Sequence, residues 1–174
     1  MRLVAPLADE AKLSALFEIL ELNGHRQHFP GELSLGLARR VALARAFAIE
    51  PDFLILDEPL ASLDDALSAR LRDQIAILVD GRSVMTLLVT HDLDDAVRLG
   101  DRLFLLTPRP ARIIADLPIR TPRRARGNAE IATIKADIVR RISLTDAAKT
   151  IRREGHTPET SDKVMKASVL PRED

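Results

Sequence analysis

Residues 53–58 read Phe-Leu-Ile-Leu-Asp-Glu, an apolar run that ends on two adjacent carboxylates. Four apolar residues in succession suit a strand buried on both faces, as in a parallel sheet. Ligands of such sheets sit outside the carboxyl ends of the strands. Asp57 and Glu58 therefore stand where a ligand would be. Two carboxylates at that point can divide the work. One holds a magnesium ion, usually through water, and the other orients or deprotonates an attacking water. The same residues also suit a plain strand end followed by a helix cap, since Asp is a good cap.

The pattern around this strand alternates between periods. Asp9 can cap a helix whose Leu13, Leu16, Phe17 and Leu20 share one face, ending near Asn23-Gly24. Ser34 can cap a second helix reaching about Ala48, with Pro51 beyond. After strand 53–57, Asp64 or Asp65 opens a third helix bearing Leu67, Leu71, Ile75 and Leu78. Residues 84–89 read as a second buried strand that runs into Thr90-His91. A short helix over 93–98 precedes Gly100, and 103–106 with 112–115 suit a hairpin. Strands alternating with helices give an α/β class.

After residue 118 the composition changes. Residues 120–126 carry four arginines and no acid, which suits an exposed linker. A helix with Ile131, Ile134, Ile138 and Ile142 follows, then a second short helix from Thr145 to about Arg153. Residues 155–174 are polar without a clear period and are expected to fray.

Composition excludes several functions. Formal net charge is zero, so nothing draws the whole chain to nucleic acid. Aromatics are 3% of the chain and do not interleave with Arg39, Arg40 and Arg45, which argues against a single-strand stacking platform. There is no cysteine, hence no disulfide and no thiolate metal site. His25 and His28 lack a third ligand nearby. No apolar run approaches the ~20 residues that span a bilayer, so a membrane role would come through a partner.

Four motifs then fall in one order. Leu33-Ser34-Leu35-Gly36-Leu37 precedes Phe53 to Glu58; Ser62-Leu63-Asp64 and His91 follow. In order and spacing they resemble the signature loop, Walker B strand, D-loop and switch histidine of an ABC-type ATPase domain. The resemblance covers roughly residues 10–118. The segments 101–103 and 107–113 look most like importers of nitrate, sulfonates, taurine and similar small solutes. It implies a partial P-loop NTPase fold: a helical-subdomain remnant over 1–50 and part of a parallel sheet over 51–118. A basic linker and helical tail over 119–174 would complete the chain.

The resemblance also implies roles. Glu58 would activate water, Asp57 would hold Mg2+ through water, and His91 would contact the γ-phosphate of ATP. Ser34, Gly36 and Asp64 would face nucleotide held by a second ATP-binding subunit. A membrane permease would be a direct partner and a solute-binding protein an indirect one. The place would be the cytoplasmic side of the plasma membrane.

Two departures matter. No pair of the seven glycines gives the G-x-x-x-x-G-K-[ST] loop that cradles phosphates, and no glutamine loop precedes the signature. The chain thus looks like the C-terminal part of such a domain, with weak or absent ATP binding alone. Leu35 and Leu37 also stand where the family usually has Gly and Gln or Met. These departures keep open a second function, a non-catalytic module that supplies only a signature loop in trans. They also imply a gap in the sheet: the family's phosphate-loop strand lies between the strand ending at His91 and strand 103–106. Strand 103–106 is expected to stand apart from strand 84–89 or to shift in and fill the gap.

Overall fold

The computed structural model describes residues 9–82, 84–153 and 166–170, with side chains up to residue 144. The chain divides into two compact units at Thr86/Leu87.

The first unit begins with α1 (Glu10–Ile19), whose first turn is capped by Asp9 through Ala11 N–H at 3.1 Å. Leu16 and Leu20 are buried as the periodicity requires. The helix stops earlier than Gly24. Glu21 takes the left-handed conformation (φ 54°), and Leu22 N–H returns to the Phe17 carbonyl at 2.7 Å. A buried Leu22 anchors this turn, so packing sets the end that glycine was expected to set. Helix α2 (Leu35–Ala48) starts from Ser34, and α3 (Asp65–Asp80) starts from Asp64, both as the caps foretell. The three helices pack pairwise, and Phe47 of α2 with Leu71 and Ile75 of α3 are fully buried. Fully burying each such side chain contributes about 1.5–3 kcal/mol. Arg40 is buried and donates to Glu21 at 3.0 Å, so this arginine belongs to the packing.

Strand β1 (Phe53–Asp57) has the expected bounds but not the expected burial. Leu54 and Leu56 are buried, whereas Phe53 and Ile55 are 50% and 58% exposed. The strand is covered on one face only.

Strand β2 (Met85–Thr90) passes from the first unit into the second. There it leads to α4 (Leu93–Leu99), then to β3 (Arg102–Leu106) and β4 (Ile113–Pro118). Strands β3 and β4 form the expected antiparallel hairpin, pairing Arg102 with Pro118 and Leu105 with Ala115. Helix α5 (Asn128–Arg153) is one helix where two were expected. Nothing within Ser143-Leu144-Thr145 compels a break: no Gly or Pro interrupts the run. Its Ile131 and Ile138 are buried with Leu103, Leu105 and Val97, and Ile134 and Ile142 pack against them.

The arginine-rich segment 120–126 is not a free linker. Arg126 is buried and Arg123 half-buried, and both pair with Asp101. The signal that misled is composition: four arginines look solvated until an acid and bare helix carbonyls are placed beside two of them.

The sheet runs β1-β2-β5-β3-β4, where β5 is Lys166–Leu170. This corrects the expectation that residues 155–174 fray, as far as 166–170 are concerned; the rest of that stretch lies outside the described residues. It also answers how the gap is met. A strand from the far end of the chain stands between β2 and β3, antiparallel to β3, pairing Arg102 with Val169 and Leu105 with Lys166. Within this α/β fold, β3 runs antiparallel to both β4 and β5.

Candidate functional site

Two caps and one turn assemble the candidate residues of the first unit. Ser34 is exposed at the start of α2, and its hydroxyl accepts from Leu37 N–H at 3.3 Å. The free N–H groups of a helix's first turn, together with the helix dipole, favour an anion. Leu35 stands beside it, 51% exposed. Gly36 is different: it is buried, and a Cβ there would lie 2.5 Å from Leu67 Cδ2. Its lack of a side chain lets α2 approach α3 closely.

Asp64 caps α3, its Oδ1 accepting from Leu67 N–H at 2.9 Å. The Gly36–Leu67 approach thus brings the start of α2 to the start of α3. The loops carrying Ser34 and Asp64 lie at the ends of two helices in mutual contact.

Asp57 is exposed at the last position of β1, and Glu58 follows half-buried. Glu58 has φ 46°, in the left-handed region, and Ser62 four residues on has φ 65°. Pro59 and Leu60 between them are buried. Ala61 N–H closes the turn on the Glu58 carbonyl at 3.2 Å. A left-handed glutamate is held only where its surroundings over-determine it, and such residues cluster at functional sites. Sequence reasoning named Glu58 but not this conformation, which no residue type announces.

In the second unit, His91 is exposed just after β2. Thr90 Oγ1 accepts from Asp92 N–H at 3.0 Å, and Asp92 Oδ1 accepts from Asp94 and Asp95 N–H at 2.6 and 3.1 Å. The backbone on either side of His91 is therefore fixed, by a strand before it and a capped helix after it.

Among the described residues no three His, Cys, Asp or Glu side chains gather to hold a metal. Magnesium does not require that. It keeps several waters and is commonly held by one or two carboxylates plus substrate phosphates. A lone exposed Asp57 at a strand end fits such a water-mediated contact. The described residues offer no glycine–lysine cradle for the phosphates themselves.

The family model for ABC transporters matches residues 4–61. The chain is similar to the aliphatic sulfonates import ATP-binding protein SsuB of Bacillus licheniformis, 35% identical over 136 residues, which cover 78% of this chain and 53% of that protein. It is 39% identical over 135 residues to SsuB 1 of Nocardia farcinica, covering 77% and 54%. Among solved structures it is similar to a dimeric post-hydrolysis state of an ATP-binding cassette bound to ADP and Pi. That likeness has TM-score 0.51 and 28% identity, over 64% of this chain and 47% of that one. An ATP-binding subunit of an ABC transporter matches with TM-score 0.55 and 25% identity, over 76% and 58%. The chain spans about half the length of the curated relatives it matches. With its motifs, α/β fold and sulfonate-importer relatives taken together, the chain is similar to the ATP-binding subunits of ABC transporters.

Proposed function

We propose that this chain carries the water-activating half of the ATP-hydrolysing subunit of an ABC importer for a small solute, an aliphatic sulfonate or a similar anion. The observation that carries this is the Asp57-Glu58 turn. One carboxylate is exposed at a strand end, and the next is held in a left-handed conformation. In this reading Glu58 takes a proton from the attacking water, as a general base within hydrogen-bond reach does. Asp57 holds Mg2+ through water, and the ion would neutralise charge on the phosphates. His91 orients the γ-phosphate side of the reaction. Ser34, Gly36 and Asp64 serve nucleotide bound mainly by a second ATP-binding subunit. Gly36 does so by letting α2 seat on α3, so that Ser34 and the first-turn N–H groups present outward. A membrane permease and, through it, a solute-binding protein would complete the assembly at the cytoplasmic face of the membrane. The sulfonate relatives support this solute class.

A second reading is favoured by Leu35, exposed where a glycine usually lets backbone approach phosphate. Here the chain is a non-catalytic partner that supplies its signature loop in trans. Hydrolysis separates the two. Under both readings Mg–ATP binds this chain more weakly than ~1 mM, and the chain can raise turnover of an added sulfonate-type cassette whose own signature serine is mutated. Once the chain is joined to a relative's glycine–lysine half, hydrolysis lost on Glu58→Gln would establish the first reading, and ATP binding without hydrolysis the second.

A further inference from the structure

Helix α4 has only seven residues, and His91 stands two residues before it. A helix of that length is marginal by itself in water, so its direction depends on what holds its ends. Both ends are held by residues from the stretch after β4. At the start, Lys135 Nζ of α5 donates to Asp94 Oδ1 at 2.5 Å, and Arg98 Nε donates to Oδ2 of the same carboxylate at 3.3 Å. Asp94 N–H donates to Asp92 Oδ1 at 2.6 Å, and Asp92 N–H donates to Thr90 Oγ1 at 3.0 Å. Thr90 is itself buried. The links that start at Lys135 therefore end on the residues just before and just after His91. At the other end of α4, Arg126 donates to the carbonyls of Val97 and Gly100.

Packing and charge specify different things here. Ala96 and Val97 are buried in one cluster with Ile131 and Ile138, which holds α4 against α5. Apolar contact is non-directional and does not by itself fix the roll of so short a helix. A hydrogen-bonded ion pair does, although a partly exposed one adds little to stability. What the Lys135–Asp94 pair contributes is alignment. Alignment counts near reacting atoms, where a misplacement of about 1 Å costs on the order of 10²-fold in rate.

We propose that Lys135 is a positioning residue for His91. From α5 it fixes the first turn of α4, while Arg126 fixes the last, and together they set where the His91 turn stands. The effect passes through Asp94 and Asp92 and needs no contact with nucleotide. Its consequence for turnover rests on the reading of His91 as the residue on the γ-phosphate side.

Lys135→Met keeps an apolar stem of similar length and removes the donor. In the full chain its urea midpoint should stay within about 0.5 M of the wild type. Amides of Asp94 and Asp95 should nevertheless exchange about threefold or more faster. The His91 ring resonances should shift, and Lys135→Arg should return them toward the wild type. Unchanged exchange at Asp94 and Asp95 with unchanged His91 resonances would overturn the proposal. In the chain joined to a relative's glycine–lysine half, Lys135→Met should lower kcat about tenfold, with KM for ATP unchanged within about twofold. A merely structural role would move the urea midpoint without that split. In a His91→Ala background, Lys135→Met should lower kcat no further. An equal loss in that background would overturn the proposal, since the effect would not pass through His91. Hydrolysis indifferent to His91→Ala would instead refute the reading of His91, and the exchange and resonance measurements on the full chain would then decide the positioning by themselves.

Discussion

Arg126 Nη2 lies 2.7 Å from Asp101 Oδ1, and Nη1 of the same guanidinium donates to the carbonyls of Val97 and Gly100 at 2.8 and 2.7 Å. An arginine far along the chain thus satisfies the bare carbonyls at the end of α4, the helix that begins just after His91. Its side chain is 1% exposed. Burial pushes its guanidinium pKa down while Asp101 supports the charge. Arg126→Ala should destabilise the chain by about 2–4 kcal/mol, because buried carbonyls and half of a buried ion pair lose their donor. Arg126→Lys should recover little of that, since a point charge cannot replace a planar fork. Urea unfolding of the three proteins checks this; an Arg126→Ala loss below about 0.5 kcal/mol would contradict the clamp.

The approach of Gly36 to Leu67 sets a second expectation. In an open helix, Gly→Ala gains about 1 kcal/mol. Here the new methyl would lie 2.5 Å from Leu67 Cδ2, so the neighbour has to move. Gly36→Ala should therefore be destabilising by about 1 kcal/mol. With Leu67→Ala in the background the same change should become neutral or stabilising. A double-mutant cycle measures the coupling directly.

Acid should loosen the contact of α4 with α5. A hydrogen bond from Lys135 is the main cause holding the Asp94 carboxyl below its usual range, with Arg98 adding to it and burial opposing. A carboxylate with a depressed folded pKa contributes stability above its unfolded value, near 3.9, and loses it as pH falls through the folded value. The pair is about one-third exposed, so the contribution should stay below about 1 kcal/mol. Melting curves between pH 7 and pH 3 should fall less steeply for Asp94→Asn than for the wild type.

Much of this was legible in the sequence. Ser34, Asp64 and Asp9 each cap the helix they were expected to cap, because a short polar side chain before an apolar period has one favourable use. The isoleucine stripe of α5 packs as its spacing requires. The misses share a cause: each depends on a partner distant along the chain. Phe53 and Ile55 looked buried because an apolar run does not say how many layers cover it. Arg123 and Arg126 looked solvated because Asp101 lies more than twenty residues away. The strand at Lys166–Leu170 was invisible because a five-residue segment mixing Lys and Ser with Ala, Val and Leu has no clear period and becomes a strand only where neighbouring strands pair with it. At the candidate site the residue types were readable. The left-handed turn at Glu58 and the closeness of Gly36 to Leu67 were not.

The role given to Glu58 is tested most directly by turnover. The first half of a sulfonate-type ATP-binding relative, carrying its glycine–lysine loop, can be joined ahead of Met1 and ATP hydrolysis measured with and without Glu58→Gln. Hydrolysis should appear in the joined protein. Glu58→Gln should lower it by roughly 10²–10⁴-fold, the usual contribution of a positioned base, while ATP binding is retained. Hydrolysis indifferent to Glu58→Gln, or a joined protein that binds ATP yet stays inert with Glu58 intact, would contradict it.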